Sequence, residues 1–141
     1  MMTHSILAPV TALVLWSLFI WVWMYATRLP AMSKARVKLD PTVPPGQLLS
    51  GLPPGVRWKA DNYNHLMEQP TIFYAAALNL AVAGGGQDVV NIGLAWAYVG
   101  LRVAHSLVQT TVNVILVRFG LFVLATLALI ALAVRAALIV F

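Results

Sequence analysis

Six side chains stand out from apolar surroundings: Asn64, Glu68, Arg102, His105, Asn113 and Arg118. A carboxylate, two guanidiniums, an imidazole and two amides are groups that bind an anion, move a proton or stabilise developing negative charge. Their spacing is ordered. In Asp61-Asn-Tyr-Asn-His-Leu-Met-Glu-Gln-Pro70, the residues Asp61, Asn64 or His65, Glu68 and Ile72 share one helical face. Further on, Tyr98, Arg102, His105 and Gln109 are spaced four, three and four apart and form one polar stripe. A charge in such a setting must be paired, wetted or neutralised. Glu68 is therefore expected to neutralise Arg102 through the bidentate geometry that carboxylate and guanidinium favour. Pro70 adds to the anomaly, because its missing N–H leaves the carbonyl of Leu66 without its helical partner.

Singly, each of these residues has an ordinary explanation. Arg118 reads as an end-marker that snorkels to the interface, His105 as a hydrogen bond between helices, Asn64 as a cap or bridge, and the Glu68–Arg102 pair as glue between helices. Together at one depth they read as a pocket for a polar, anionic ligand.

The elements that must position them follow from composition. Hydrophobic residues make up 61% of the chain and charged residues 9%, against about a quarter charged in soluble domains, so this is a membrane protein. Apolar runs at 6–26, 61–83, 89–108 and 114–140 each suffice to span a bilayer, which takes roughly 20 residues of helix. The expected fold is an all-α, four-transmembrane-helix bundle in one domain over 1–141, with helices over about 6–27, 60–83, 88–109 and 113–140. The first run has no basic n-region and no cleavage pattern, so it reads as a retained helix. Without cysteine the chain has no disulfide and no thiolate of its own. Any sulfur chemistry must arrive with a ligand.

The net charge of +5 raises the question of nucleic acid, but six of the nine basic residues (Arg28, Lys34, Arg36, Lys38, Arg57, Lys59) gather about the first connection. That is a positive-inside pattern. It places the Pro/Gly-rich connection 29–59 in the cytoplasm and the N-terminus outside, and it leaves nucleic acid without a role. Arg135 then lies near the outer end, where it is expected to snorkel toward headgroups. The connection reads as a linker or as a lid over a cytoplasmic-side cavity. Ala83-Gly-Gly-Gly-Gln-Asp88 has no lysine after its glycines and no strand before them, so it reads as a tight turn rather than a phosphate cradle. No metal-ligand cluster and no Ser-His-Asp spacing is present.

The stretches DNYNHLMEQPTIFYAAALNLA and LAWAYVGLRVAHSLVQTTVNVILVRFGLF, with the opening ILAPVTALVLWSLFIWVWMYATRLPAM, resemble the bacterial branch of the MAPEG family, the membrane-associated proteins in eicosanoid and glutathione metabolism. The resemblance implies four transmembrane helices in a bacterial inner membrane, a homotrimer, and a glutathione site between subunits open to the cytoplasm. It gives Arg118 the role of holding the glutathione thiolate, and makes Arg57, Asn64, Glu68, Arg102, His105 and Asn113 candidates for binding the tripeptide. The family's asparagine and glutamate are three apart, whereas Asn64 and Glu68 are four apart, and His105 and Ser106 stand where a tyrosine is expected.

Two functions remain open at this stage. One is a glutathione-dependent transferase or peroxidase acting on lipophilic electrophiles that arrive from membrane lipid. The other is a non-catalytic integral membrane protein that binds a lipid or amphiphile in the same crevice. A small transporter is a weaker third, because the polar residues occupy one half of the membrane only.

Overall fold

Two prolines that read as linker in fact open a helix. In the computed structural model, which describes residues 5–141, Pro54 occupies the first turn of a helix running to Val82. The N–H that proline lacks is one that a first turn leaves unbonded, and its fixed φ suits the position. The helix expected from residue 60 is therefore the inner part of a 29-residue helix, and Arg57 and Lys59 stand on it. The first helix, expected to end near 27, continues through Pro30 to Lys34. It closes there because Arg36 turns left-handed at φ 50 and the Val37 N–H reaches the Met32 carbonyl at 3.2 Å.

Among the described residues the elements are α1 (Leu7–Lys34), α2 (Pro45–Leu48), α3 (Pro54–Val82), α4 (Val89–Thr111) and α5 (Ile115–Val140), with no strand. The connection expected over 29–59 shrinks to 35–53, and α2 is a single turn within it. Two helices, α1 and α5, are long and apolar enough to cross a membrane, with mean hydropathies of 1.9 and 2.6. The other two long helices have 29 and 23 residues, or about 43 and 35 Å at 1.5 Å per residue. They carry the polar residues.

The helices α3 and α4 pack on each other, and each packs on both α1 and α5; α1 and α5 do not meet among the described residues. The cross-section is a rhombus with the α3–α4 contact as its short diagonal. Its core joins Leu13 and Ile20 of α1, Leu66, Phe73 and Leu80 of α3, Tyr98 and Val99 of α4, and Leu129 and Leu132 of α5. Phe73 stacks on Tyr98 with ring centroids 4.5 Å apart. At the basic end, Lys59 lies over the Trp23 ring at 4.8 Å, a cation–π contact that ties α3 to α1.

The α3–α4 turn explains its own glycines. Gly84 sits at φ 91, and a Cβ on Gly86 would stand 2.9 Å from the Ala81 Cα, so neither position accepts a side chain without movement. Asp88 caps α4 by accepting from the N–H groups of Val90 (2.9 Å) and Asn91 (3.1 Å). It also pairs with Arg135 at 2.9 Å, while Arg135 donates to the Asn91 side chain as well. Arg135 thus has a counter-charge within the protein. The Asn91 N–H is the main reason the Asp88 carboxyl lies below its usual range; burial opposes this, and the Val90 N–H and the Arg135 charge add to it.

Candidate functional site

The polar stripe on α4 is buried in full: Tyr98, Arg102, His105 and Gln109 all face inward. Its members bond across helices. The Tyr98 hydroxyl donates to the Gln69 side chain at 3.2 Å, and Gln69 donates in turn to Thr126 at 2.9 Å, linking α4, α3 and α5. Asn62 donates to Gln109 at 2.9 Å. Arg102 is 0% exposed. Its Nη2 donates to the His65 carbonyl at 3.2 Å, and its Nε and Nη1 have no partner among the described residues. The acceptor is the carbonyl of His65, not the Leu66 carbonyl that Pro70 frees.

Glu68 does not neutralise Arg102 in this chain. Its side chain is 68% exposed and instead meets the His65 Nδ1 at 3.0 Å. The cause is the azimuth of α3. That helix buries Asn62, Leu66, Phe73, Ala77 and Leu80. Glu68 is two residues beyond Leu66, or about 200° further round at 3.6 residues per turn. Asp61, Asn64 and Glu68 do share a face, and that face points outward.

Two cavities at the same end of the molecule divide the candidate residues. The first, of about 380 Å³, lies between α1, α2 and α3; Arg28, Arg57, Asp61 and Asn64 line it, and Leu49 and Leu52 of the connection border it. The second, of about 180 Å³, lies between α3, α4 and α5 and is lined by His65, His105, Ile115, Arg118, Phe119 and Phe122. Arg57 and Asn64 therefore belong to one cavity, and His105 and Arg118 to the other. Glu68 and Asn113 reach the second cavity through the partners they hold. Arg102 is sealed beneath, attached to the backbone of His65.

Arg118 is placed by the turn that precedes α5. Asn113 adopts the left-handed conformation at φ 51, which asparagine tolerates better than most residues. Its N–H bonds to the Val108 carbonyl at 2.6 Å. Its side-chain oxygen then accepts a hydrogen bond from Arg118 Nη1, while Arg118 Nε is buried without a partner among the described residues. Opposite stand two imidazoles whose centroids are 4.9 Å apart, with His65 stacked on Phe122 at 5.6 Å. Ile115 and Phe119 are exposed, so the cavity has an apolar outer wall. A guanidinium beside such a wall can hold an anionic nucleophile where a lipophilic partner reaches it.

His65 is the residue that reading the sequence passes over, named there only as an alternative to Asn64. The signal was its spacing of three from Glu68, which places the two side chains in contact on a helix. Asn62, the buried partner of Gln109, was likewise unmarked. Among the described residues no group of His, Asp and Glu converges as a metal site.

The model of the MAPEG family matches residues 6–138. Neither a search of curated proteins nor a search of solved structures returns a significant match.

Proposed function

From the membership of this chain in the MAPEG family, we propose that it is a glutathione-dependent transferase or peroxidase acting on lipophilic electrophiles. The observation that carries the reading is the cavity in which Arg118, fixed by Asn113, shares a small space with two imidazoles and an apolar outer wall. In this reading the glutathione thiol ionises beside the guanidinium, which favours the thiolate, the reactive form. Phe119, Phe122 and Ile115 receive the electrophile from the lipid side. Arg57 and Asn64 hold the carboxylates of the tripeptide.

The division of these residues between two cavities supports a site shared between subunits. Arg57 and Asn64 lie toward α1, while Arg118 lies toward α5. A tripeptide contacting both sets is served best by two chains. Glu68 adds weight: it lies seven residues past Asp61, where the apolar run begins, about 10 Å further along α3. A carboxylate facing lipid at that depth costs several kcal/mol, so the outward face of α3 calls for cover by protein. Small exposed residues on α3 and α4 (Ala75, Gly93, Ala97, Gly100) permit the close approach of another copy. The reading is a homotrimer with four membrane-spanning helices per chain, the basic end cytoplasmic and the N-terminus outside.

The test is a titration of the purified protein with glutathione, followed by thermal shift and then by turnover of an aryl halide and of a lipid hydroperoxide. Saturable stabilisation with turnover is the expected result. Binding without turnover would leave the non-catalytic, amphiphile-binding reading in place, and absence of binding would remove glutathione altogether.

A further inference from the structure

We propose that His65 is the proton donor to an oxygen leaving group, and that Glu68 is its positioning residue; the proposal rests on the transferase reading above. Once a thiolate is held by Arg118, an electrophile that opens at a C–O bond still needs a proton on the departing oxygen. An aryl halide does not. The cavity contains a group fit for this task that nothing else in the reaction uses.

The geometry singles out His65 over His105. An ionised carboxylate only accepts hydrogen bonds, so the 3.0 Å contact with Glu68 assigns a hydrogen to the His65 Nδ1. Nε2 is then the nitrogen left for chemistry in the cavity that the ring lines. The ring is held by Glu68, by stacking on Phe122 and by His105, and the His65 backbone is held by Arg102. The charged or titratable groups about it are Glu68 on α3, His105 and Arg102 on α4, and Arg118 on α5. Glu68 is the one carboxylate in that set, and it offsets the charge of a doubly protonated His65. His105 is buried among the same cations, with its Nδ1 unpartnered and no carboxylate in contact among the described residues. His65 is 25% exposed at its side chain, whereas His105 is 2% exposed.

For a lipophilic epoxide the step balances as follows. The thiolate sulfur gives its electron pair to a ring carbon, the C–S bond forms, and the C–O bond breaks with its electrons on oxygen. That oxygen takes the Nε2 proton of the His65 imidazolium. The neutral imidazole then regains a proton from water.

The experiment compares an aryl epoxide with an aryl halide as co-substrates of glutathione in the wild type, His65→Asn and Glu68→Gln. Asparagine retains an N–H for Glu68 but cannot deliver a proton. The ratio of epoxide to halide turnover should fall about 10²-fold in His65→Asn, and less in Glu68→Gln. Added imidazole should restore the ratio in His65→Gly. A purely structural role lowers both rates together; an unchanged ratio, or a wild type that turns over halide but not epoxide, would overturn the assignment. A wild type that turns over neither removes the transferase reading first and this inference with it.

Discussion

Replacing Arg118 by alanine should raise the ionisation midpoint of bound glutathione by about two pH units. The guanidinium is half-buried, with Nη1 held by Asn113 and Nε shielded from water, so the dielectric near it lies between interior and bulk. At about 4 Å and an effective dielectric near 20, a pair of unit charges is worth about 4 kcal/mol. Desolvation of the thiolate offsets part of this. A net of about 2.7 kcal/mol is equivalent to two pH units. A thiol with a pKa near 8.5 is about 3% ionised at pH 7, and one near 6.5 is about 75% ionised. The thiolate population at neutral pH should therefore drop about 25-fold in Arg118→Ala, with turnover following it, while affinity for glutathione changes much less. Arg118→Lys should fall between, because ammonium keeps the charge but loses the fork that Asn113 holds. The assay is the ultraviolet absorbance of the thiolate, titrated against pH in both proteins at saturating glutathione. A wild-type midpoint no lower than that of free glutathione would refute the reasoning, and so would equal midpoints in wild type and Arg118→Ala.

Three further outcomes are expected. Single cysteines at Gln47 and Gln87 report orientation, since the native chain has none: an impermeant reagent should label Gln87→Cys in intact cells and spare Gln47→Cys, and the reverse would invert the topology. Mass measurement in detergent should give three times the chain mass, and a stable monomer at high concentration would leave the outward face of α3 without its proposed cover. Folded Asp88 lies below the usual carboxylate value of 3.8, so its contribution to stability is present above that value and is lost as pH falls through the folded pKa. The midpoint of thermal unfolding should fall in that acid window, and Asp88→Asn should flatten the dependence; an unchanged acid profile would show that the α4 cap does not govern it.

The spacing of polar residues on α4 carried into the structure because all four positions of the stripe are buried, and a helix that turns one polar face inward has few other places to put it. Sequence spacing was equally right that Asp61, Asn64 and Glu68 lie on one face of α3, and it misled about where that face points. A face is a property of the segment, whereas its azimuth depends on competition with the opposite side for the core. On α3 that opposite side carries Leu66, Phe73, Ala77 and Leu80, and it is this side that packs into the core of the chain. So the carboxylate turns out, and the arginine makes do with a backbone carbonyl at 3.2 Å. The prolines at 53 and 54 misled for a different reason: proline is costly inside a helix but suits its first turn, and the hydrophobic run that would tell these cases apart starts only later. Arg135 was legible as an anomaly, but its neutraliser, Asp88, is 47 residues away in sequence. Both corrections concern a charge whose partner is set by how helices pack. With Glu68 covered by a neighbouring chain, as proposed, the electrostatics of His65 and Arg118 would depend on assembly. A monomer that bound glutathione but formed no thiolate would be the signature of that dependence.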